Sequence, residues 1–208
     1  MSFSVGTSYN MYAKFHDDRL INGRVKISTG TASGCSDTRH FFINQLLPVY
    51  QEFGEYLDLE FVPWGRTVRN EDGNLICQFG VNDCWGNRLH RCVLDILKDD
   101  QVAQLHYMIC EFTEYVAFLQ GTYQCVQGVG LSLVEVDYCM STTGDLLEDP
   151  AQAAASEPMS IINFVPSIVL NDVIDVRTHN EARANLRGLV CNALAEDTTI
   201  NEVNAADC

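Results

Sequence analysis

The chain has 208 residues, 47% of them hydrophobic and 10% aromatic, which is enough for one domain with a full core and far from the composition of a disordered polypeptide. Its formal charge of −15 repels nucleic-acid backbones and anionic membrane surfaces, and no polybasic run offsets it, so neither partner is expected. No apolar stretch approaches the roughly 20 residues of a membrane-spanning helix. The opening residues lack the order of a signal peptide, and Met1-Ser2-Phe3-Ser4 reads as a start placed on a chain whose signal has been removed.

Val25 and Ile27 alternate with Lys26 and Ser28 as in a half-buried strand, and small polar residues from Thr29 to Gly34 close it. From Arg39 to Phe53, the residues Phe42, Leu46, Val49, Tyr50 and Phe53 recur at steps of three and four, predicting a helix with one apolar face and a kink at Pro48. Leu57, Leu59 and Phe61 alternate with Asp58 and Glu60, predicting a second strand that ends near Pro63. The next stretch is cysteine-rich. Val93, Leu94 and Leu97, and then Leu105, Met108, Ile109, Phe112, Tyr115 and Val116, fit two helices parted near Asp99 and Asp100, with Asp95, Asp99 and Asp100 as a solvated helix end. Ala151 to Ser156, between Pro150 and Pro158, reads as a loop or short helix. Ile161 to Val165 and Ile168 to Leu170 have strand character, and the turn pair Asn171-Asp172 leads into Val173 to Val176 as a hairpin. Thr178 and Glu181 have capping-box spacing, so Thr178 caps a last helix that buries Ala182, Leu186, Leu189, Val190 and Ala193.

The order βαβ, insertion, ββα is that of an α/β protein and resembles a thioredoxin-like fold with a disulfide-rich helical insertion. On this division, residues 21–65 and 160–195 form a discontinuous core, 66–159 the insertion and 196–208 a C-terminal tail. Cysteines at positions 35, 77, 84, 92, 110, 125, 139, 191 and 208 are too many for a reducing cytosol and favour an oxidising compartment. Their spacing lacks paired C-x2-C knuckles, and only His90 lies near a cysteine cluster, so no metal and no cofactor is expected. His90 and Trp85 read as an exposed helix histidine and a core tryptophan.

Cys35 falls between the first strand and the first helix, in the run Gly34-Cys35-Ser36-Asp37-Thr38. A helix N-terminus offers unpaired N–H groups and partial positive charge, which favour thiolate. Val165 and Pro166 stand just before the strand Ser167 to Leu170. Read alone, Cys35 is one more half-cystine and Pro166 an ordinary trans proline; the order of elements is what brings them together.

The most specific run is Cys77-Gln78-Phe79-Gly80 followed by Cys84, Asn87 and Cys92, that is C-Q-x-G-x3-C-x2-N-x4-C. It resembles the signature of the gamma-interferon-inducible lysosomal thiol reductase (GILT) family, with Phe79 in place of the usual histidine and Asp83 in place of the usual glutamate. Phe42, Ile43, Gln45, Leu46 and Pro48 resemble the family's first helix, Leu59, Glu60, Val62, Pro63 and Gly65 its second strand, and Leu189, Val190 and Cys191 its last helix. The resemblance implies a thioredoxin core with a helical insertion, and a cis Val165–Pro166 bond facing the active cysteine. It implies substrate contacts from Ser36, Asp37, Val165 and Pro166, and a bridge from Cys191 to Cys208 that ties down the tail. With that pairing, Cys77, Cys84, Cys92, Cys110, Cys125 and Cys139 remain for three bridges of open connectivity, and Cys35 is left as a free thiol.

One departure bears on function. The family's active site is C-x-x-C, or C-x-x-S in some invertebrate members, and here the pair is Cys35 and Thr38. Cys35 keeps the place of the nucleophile as a vestige, while Thr38 replaces the resolving cysteine and cannot attack a mixed disulfide. The Asp37 carboxylate opposes thiolate formation. The expectation is a secreted or lysosomal and endosomal luminal protein that lacks efficient thiol reductase activity and acts by binding a protein partner. The alternative is a monothiol reductase of disulfide-containing proteins, in which an external thiol such as glutathione or cysteine resolves the adduct on Cys35.

Overall fold

A computed structural model describes residues 23–196. Strand β1 (Val25–Thr31) is the middle of a three-stranded sheet of order β2-β1-β5. Strand β2 (Leu57–Pro63) runs parallel to it, from Val25 opposite Leu57 to Thr31 opposite Pro63. Strand β5 (Ser167–Leu170) runs antiparallel, with Ile27 opposite Leu170 and Gly30 opposite Ser167. Alternation decides the faces. Val25, Ile27, Leu57 and Leu59 are buried, whereas Lys26 turns to the other side, where its Nζ lies 3.2 Å from Glu60 and 2.9 Å from Asp172. β1 extends past the predicted end because Thr29 and Thr31 continue the buried alternation, as β-branched residues do readily.

The link from β1 to β2 is one helical run in three parts: α1 (Ser36–Phe41), a π-helical turn Phe42–Leu46, and α2 (Leu47–Phe53). Pro48 has no N–H to give the preceding turn, and the wider π turn sits directly ahead of it. After β2 come a small hairpin, β3 (Val68–Arg69) and β4 (Leu75–Ile76), and then helices α3 (Val81–Ile96), α4 (Gln101–Glu114), α5 (Gln124–Gly128), α6 (Leu133–Ser141) and α7 (Glu148–Ile161). The Asp100 side chain accepts a bond from Ala103 N and so caps α4. Disulfides join Cys77 to Cys84, Cys92 to Cys139 and Cys110 to Cys125. Cys191 is also in a disulfide; the expected pairing with Cys208 falls outside the described residues.

The apolar core runs unbroken from the sheet into the helices. Phe42 is fully buried with its ring centroid 5.5 Å from that of Phe61 on β2 and 4.8 Å from that of Phe112 on α4, and a phenylalanine buried in this way contributes about 1.5–3 kcal/mol. No helix of the described residues is long and apolar enough to cross a membrane.

Four expectations are corrected. Ala151 to Ser156 lies inside α7, because Pro150 occupies its first turn, where no N–H partner is lost, and alanine favours the helix. Ile161 ends α7 rather than opening a strand. The turn at Asn171 and Asp172 is present, both with positive φ, but its second arm is a single bridge from Leu170 to Val173, since Val176 already begins the last helix, α8 (Val176–Glu196). Asp175, not Thr178, caps α8: its Oδ2 accepts from Thr178 N at 2.7 Å and from Thr178 Oγ1 at 2.8 Å, and these bonds lower the Asp175 carboxyl below its usual range. Along α8, which bends at Asn185, the buried side chains are His179, Ala182, Leu186, Val190, Cys191 and Leu194, whereas Leu189 and Ala193 are half-buried. The whole is a thioredoxin-like α/β fold, with a βαβ unit, a disulfide-rich helical stretch, and a proline-led antiparallel strand followed by a helix.

A single thiol at a helix N-terminus

β1 delivers the chain to a three-residue turn, Ala32 to Gly34, and Cys35 follows. Its N–H donates to Ala32 O at 3.0 Å and its carbonyl accepts from Arg39 N at 3.2 Å, which makes Cys35 the N-cap residue of α1. It is unpaired and only 4% exposed. The thiol donates to the Val165 carbonyl at 3.4 Å, and the Val165–Pro166 peptide bond is cis. Ala32, Cys35 and Val165 share a small apolar cluster with Met159 of α7. The structure thus brings Cys35 and the Val165–Pro166 segment together across 130 residues of sequence. Ser36 and Asp37 are exposed on the first turn of α1. Thr38, one turn on from Cys35, is fully buried, and its Oγ1 has no hydrogen-bond partner.

The signature run buttresses this turn from behind. The Cys77–Cys84 bridge closes a small ring that takes in the first turn of α3, with Gly80 at φ 84° as the α3 N-cap. Asp83, fully buried, accepts from Ser33 Oγ at 2.9 Å and Gly34 N at 3.1 Å through Oδ1, and from Phe79 N at 3.2 Å through Oδ2. Asn87, one helical turn later, accepts from Ser33 N at 2.8 Å. A Cβ on Gly86 would stand 2.5 Å from Ser33 Oγ, so only glycine lets α3 come this close. Gly34 is similarly confined, since a Cβ there would meet the Phe118 ring at 2.7 Å and Phe79 Cβ at 2.9 Å. Gln78 is exposed, and Cys92 lies further along α3 in its bridge to Cys139.

In the sequence Asp83 stands out only as a departure from the family signature, with no role attached, although its place four residues before Asn87 puts both on one face of α3. His90 also corrects an expectation, being 1% exposed rather than solvated. Its Nε2 lies 3.6 Å from Glu111, and its ring packs edge-on against Tyr107 and Phe112. The spacing of His90 with Val93, Leu94 and Leu97 already marked it as part of the apolar stripe. Burial, with Glu111 beside it, pushes the Tyr107 hydroxyl well above its usual range. Trp85 is half-buried at the edge of the core, packed against it and beside Tyr123. Behind Pro166, His179 accepts from Ile168 N at 3.2 Å through Nδ1. Burial, and secondarily Arg183, push this imidazole down to about 4. Among the described residues, no group of three or more His, Cys, Asp or Glu side chains could hold a metal ion.

A thiol at a helix N-terminus facing a proline-led strand, on this fold, defines a thioredoxin-like protein. Residues 26–129 match the family model for gamma interferon inducible lysosomal thiol reductase (GILT), and the chain belongs to that family. GILT-like protein 1 of Drosophila melanogaster is 24% identical over 185 residues, covering 81% of this chain and 74% of the relative. The Anopheles gambiae gamma-interferon-inducible lysosomal thiol reductase-like protein is 25% identical, over 77% and 73%. The Carassius auratus enzyme is 34% identical over 76 residues, 35% of this chain and 30% of that one. A solved structure of an oxidized DsbA1 mutant aligns over 85% of this chain and 88% of its own, with 12% identity and a TM-score of 0.45.

Proposed function

We propose that this GILT-family protein engages cysteine-bearing protein partners on the face around Cys35 and Pro166 and lacks efficient thiol reductase activity of its own. The observation that carries the reading is the pair Cys35 and Thr38: the only free thiol among the described residues stands where a nucleophile would, and a buried hydroxyl one turn away stands where the second thiol would. Cys35 thiolate can attack a disulfide, forming one S–S bond and expelling the other sulfur as thiolate. With no second thiol on α1, the adduct persists. Ser36 and Asp37, exposed beside Cys35, and the backbone of Val165 and Pro166 form the contact surface for the partner. The bridges in the helical stretch 66–159, inserted between 21–65 and 160–195, support an oxidising compartment, either secreted or in the lysosomal and endosomal lumen.

A second reading is a monothiol reductase, in which an external small thiol attacks the mixed disulfide and restores Cys35. It is favoured by the intact pairing of Cys35 Sγ with the Val165 carbonyl at 3.4 Å. Insulin reduction, followed with and without glutathione or cysteine after subtraction of the thiol's own rate, separates the two. The binding reading expects no catalysis in either arm. Catalysis that rises with small-thiol concentration and vanishes in Cys35→Ser establishes the monothiol enzyme, and thiol-dependent catalysis that survives Cys35→Ser overturns both.

A further inference from the structure

We infer that Asp83 is the positioning residue of this site, a buried carboxylate that fixes where Cys35 stands by holding the turn in front of it; the inference rests on the reading that Cys35 engages disulfides. The turn has one bond of its own, from Cys35 N–H to Ala32 O, and its remaining donors are held from outside. Gly34 has no side chain with which to anchor itself, and Ser33 and Gly34 send their donors away from the sheet, to α3. One Asp83 oxygen takes both the Ser33 hydroxyl and the Gly34 N–H, and Asn87 takes the Ser33 N–H. The other Asp83 oxygen takes the N–H of Phe79, whose Cβ stands over Gly34. A single side chain therefore ties together the floor of the thiol's surroundings at Gly34 and part of their wall at Phe79. The Cys77–Cys84 bridge, immediately beside Asp83 in sequence, restrains the same ring.

Attack on a disulfide requires the incoming sulfur to lie in line with the S–S bond, so small displacements matter; a misplacement of about 1 Å can cost roughly 100-fold in rate. Alkylation by a small reagent tolerates many approach angles. The ratio of the two rates on Cys35 therefore reports its placement, and a carboxylate that merely stabilised the fold would not change it.

The experiment compares the parent with Asp83→Ala, Asp83→Asn and Asp83→Glu, each checked for folding by circular dichroism at the assay temperature. Cys35 is reacted with iodoacetamide and, separately, with oxidised glutathione. In the second reaction Cys35 forms a mixed disulfide with one glutathione and the other leaves as thiolate. The expected result is a disulfide-to-alkylation rate ratio that falls about tenfold or more in Asp83→Ala and stays within about threefold of the parent in Asp83→Glu. Asp83→Asn keeps an oxygen for Ser33 and Gly34 but sets an amide N–H2 against the Phe79 N–H, so its ratio falls by about threefold; it decides the question if Asp83→Ala does not fold. Unchanged ratios in the folded variants, even with lower melting temperatures, would overturn the inference. If the parent is alkylated but forms no mixed disulfide, the reading of Cys35 as a disulfide-engaging thiol fails instead. Asp83 is then judged on alkylation alone: acceleration by about fivefold or more in the folded variants sustains its hold on the turn, and a parent-like rate refutes it.

Discussion

The helical stretch and the sheet hold their shape by different means. Between Cys77 and Cys139 the chain is cross-linked by three disulfides and can keep a histidine and a glutamate buried against each other at His90 and Glu111. Among the described residues, no disulfide pins the turn from Ala32 to Cys35 itself. That turn is set by hydrogen bonds to Asp83 and Asn87 and by close packing at Gly34 and Gly86. The contrast shows a division of labour among the sulfurs: those of the helices are used up as constraint, while the one at the end of β1 stays unpaired. The two sides still share a core through Phe42, Phe61 and Phe112, so constraint in one should be felt in the other.

The largest effect on stability tests that sharing. The Cys92–Cys139 bridge closes 47 residues, and the loop-closure relation assigns it about 4 kcal/mol, against about 2 kcal/mol for Cys77–Cys84, which closes 7. Replacing Cys92 and Cys139 by alanine should lower the denaturation midpoint of the whole protein in one transition. Trp64 at the end of β2 and Trp85 on α3 place a fluorescent reporter on each side. Single-tryptophan variants that unfold at different denaturant concentrations would break the picture of a common core, and would mean that the helices melt while the sheet stands.

Much of the sheet side was legible because its signals are local. The alternation in Val25 to Ser28 and Leu57 to Phe61 needs only a two-residue period, and the helix after Cys35 shows its apolar face directly. Pro166 could be placed opposite Cys35 because the order of elements resembles that of a thioredoxin-like fold, in which the two meet. What escaped depends on contacts between elements distant in sequence. Nothing near Asp83 shows that its acceptors serve Ser33 and Gly34, 50 and 49 residues earlier. Ala151 to Ser156 reads as a loop or short helix because the prolines that flank it are taken as breakers, although one falls in the first turn of a longer helix. Asp175 displaced Thr178 as the cap because both residues suit that role and only the chain's path chooses between them.

The next effect in size concerns pH and the strand behind Pro166. His179 has a folded value of about 4 against an ordinary 6.5, so between those values the unfolded chain holds the extra proton. Its contribution is present above about pH 6.5 and lost as pH falls toward 4, by something of the order of 2–3 kcal/mol. His179→Asn, which can accept from Ile168 N through its own oxygen, should cost about 1 kcal/mol at neutral pH and flatten the dependence over that window. Stability curves of parent and variant that remain parallel from pH 7 to pH 4 would place the acid sensitivity elsewhere.

Smaller again is Gly34→Ala, whose methyl would stand 2.7 Å from the Phe118 ring. The ring or the turn must move, at a cost of about 1–3 kcal/mol, and a shift of the turn should alter the alkylation rate of Cys35. A parent-like rate together with lost stability would show that Phe118 yields and the turn does not.

The smallest change in stability should come from Thr38→Cys, and it sharpens the contrast most because it would place a disulfide at the start of α1 itself. Thr38 is fully buried and its hydroxyl is unpaired, so exchanging that oxygen for sulfur relieves an unsatisfied group while losing one methyl, a balance within about 1 kcal/mol. The new thiol lies three residues along α1 from Cys35, the spacing at which two side chains on one helix face can meet. Mild oxidation should then remove two electrons and two protons and close an intramolecular bridge, detected as the loss of the free thiol in the unreduced protein. In the reduced form the second thiol can attack a mixed disulfide on Cys35 and release the partner. The variant should therefore reduce a model disulfide several times faster than the parent without added small thiol, with a further gain when Asp37→Asn removes the neighbouring carboxylate. Should Thr38→Cys fold, bridge to Cys35, and reduce no faster, the missing thiol is not what limits this site. Access past Met159 and the Val165–Pro166 segment, which enclose Cys35, would then be the restraint.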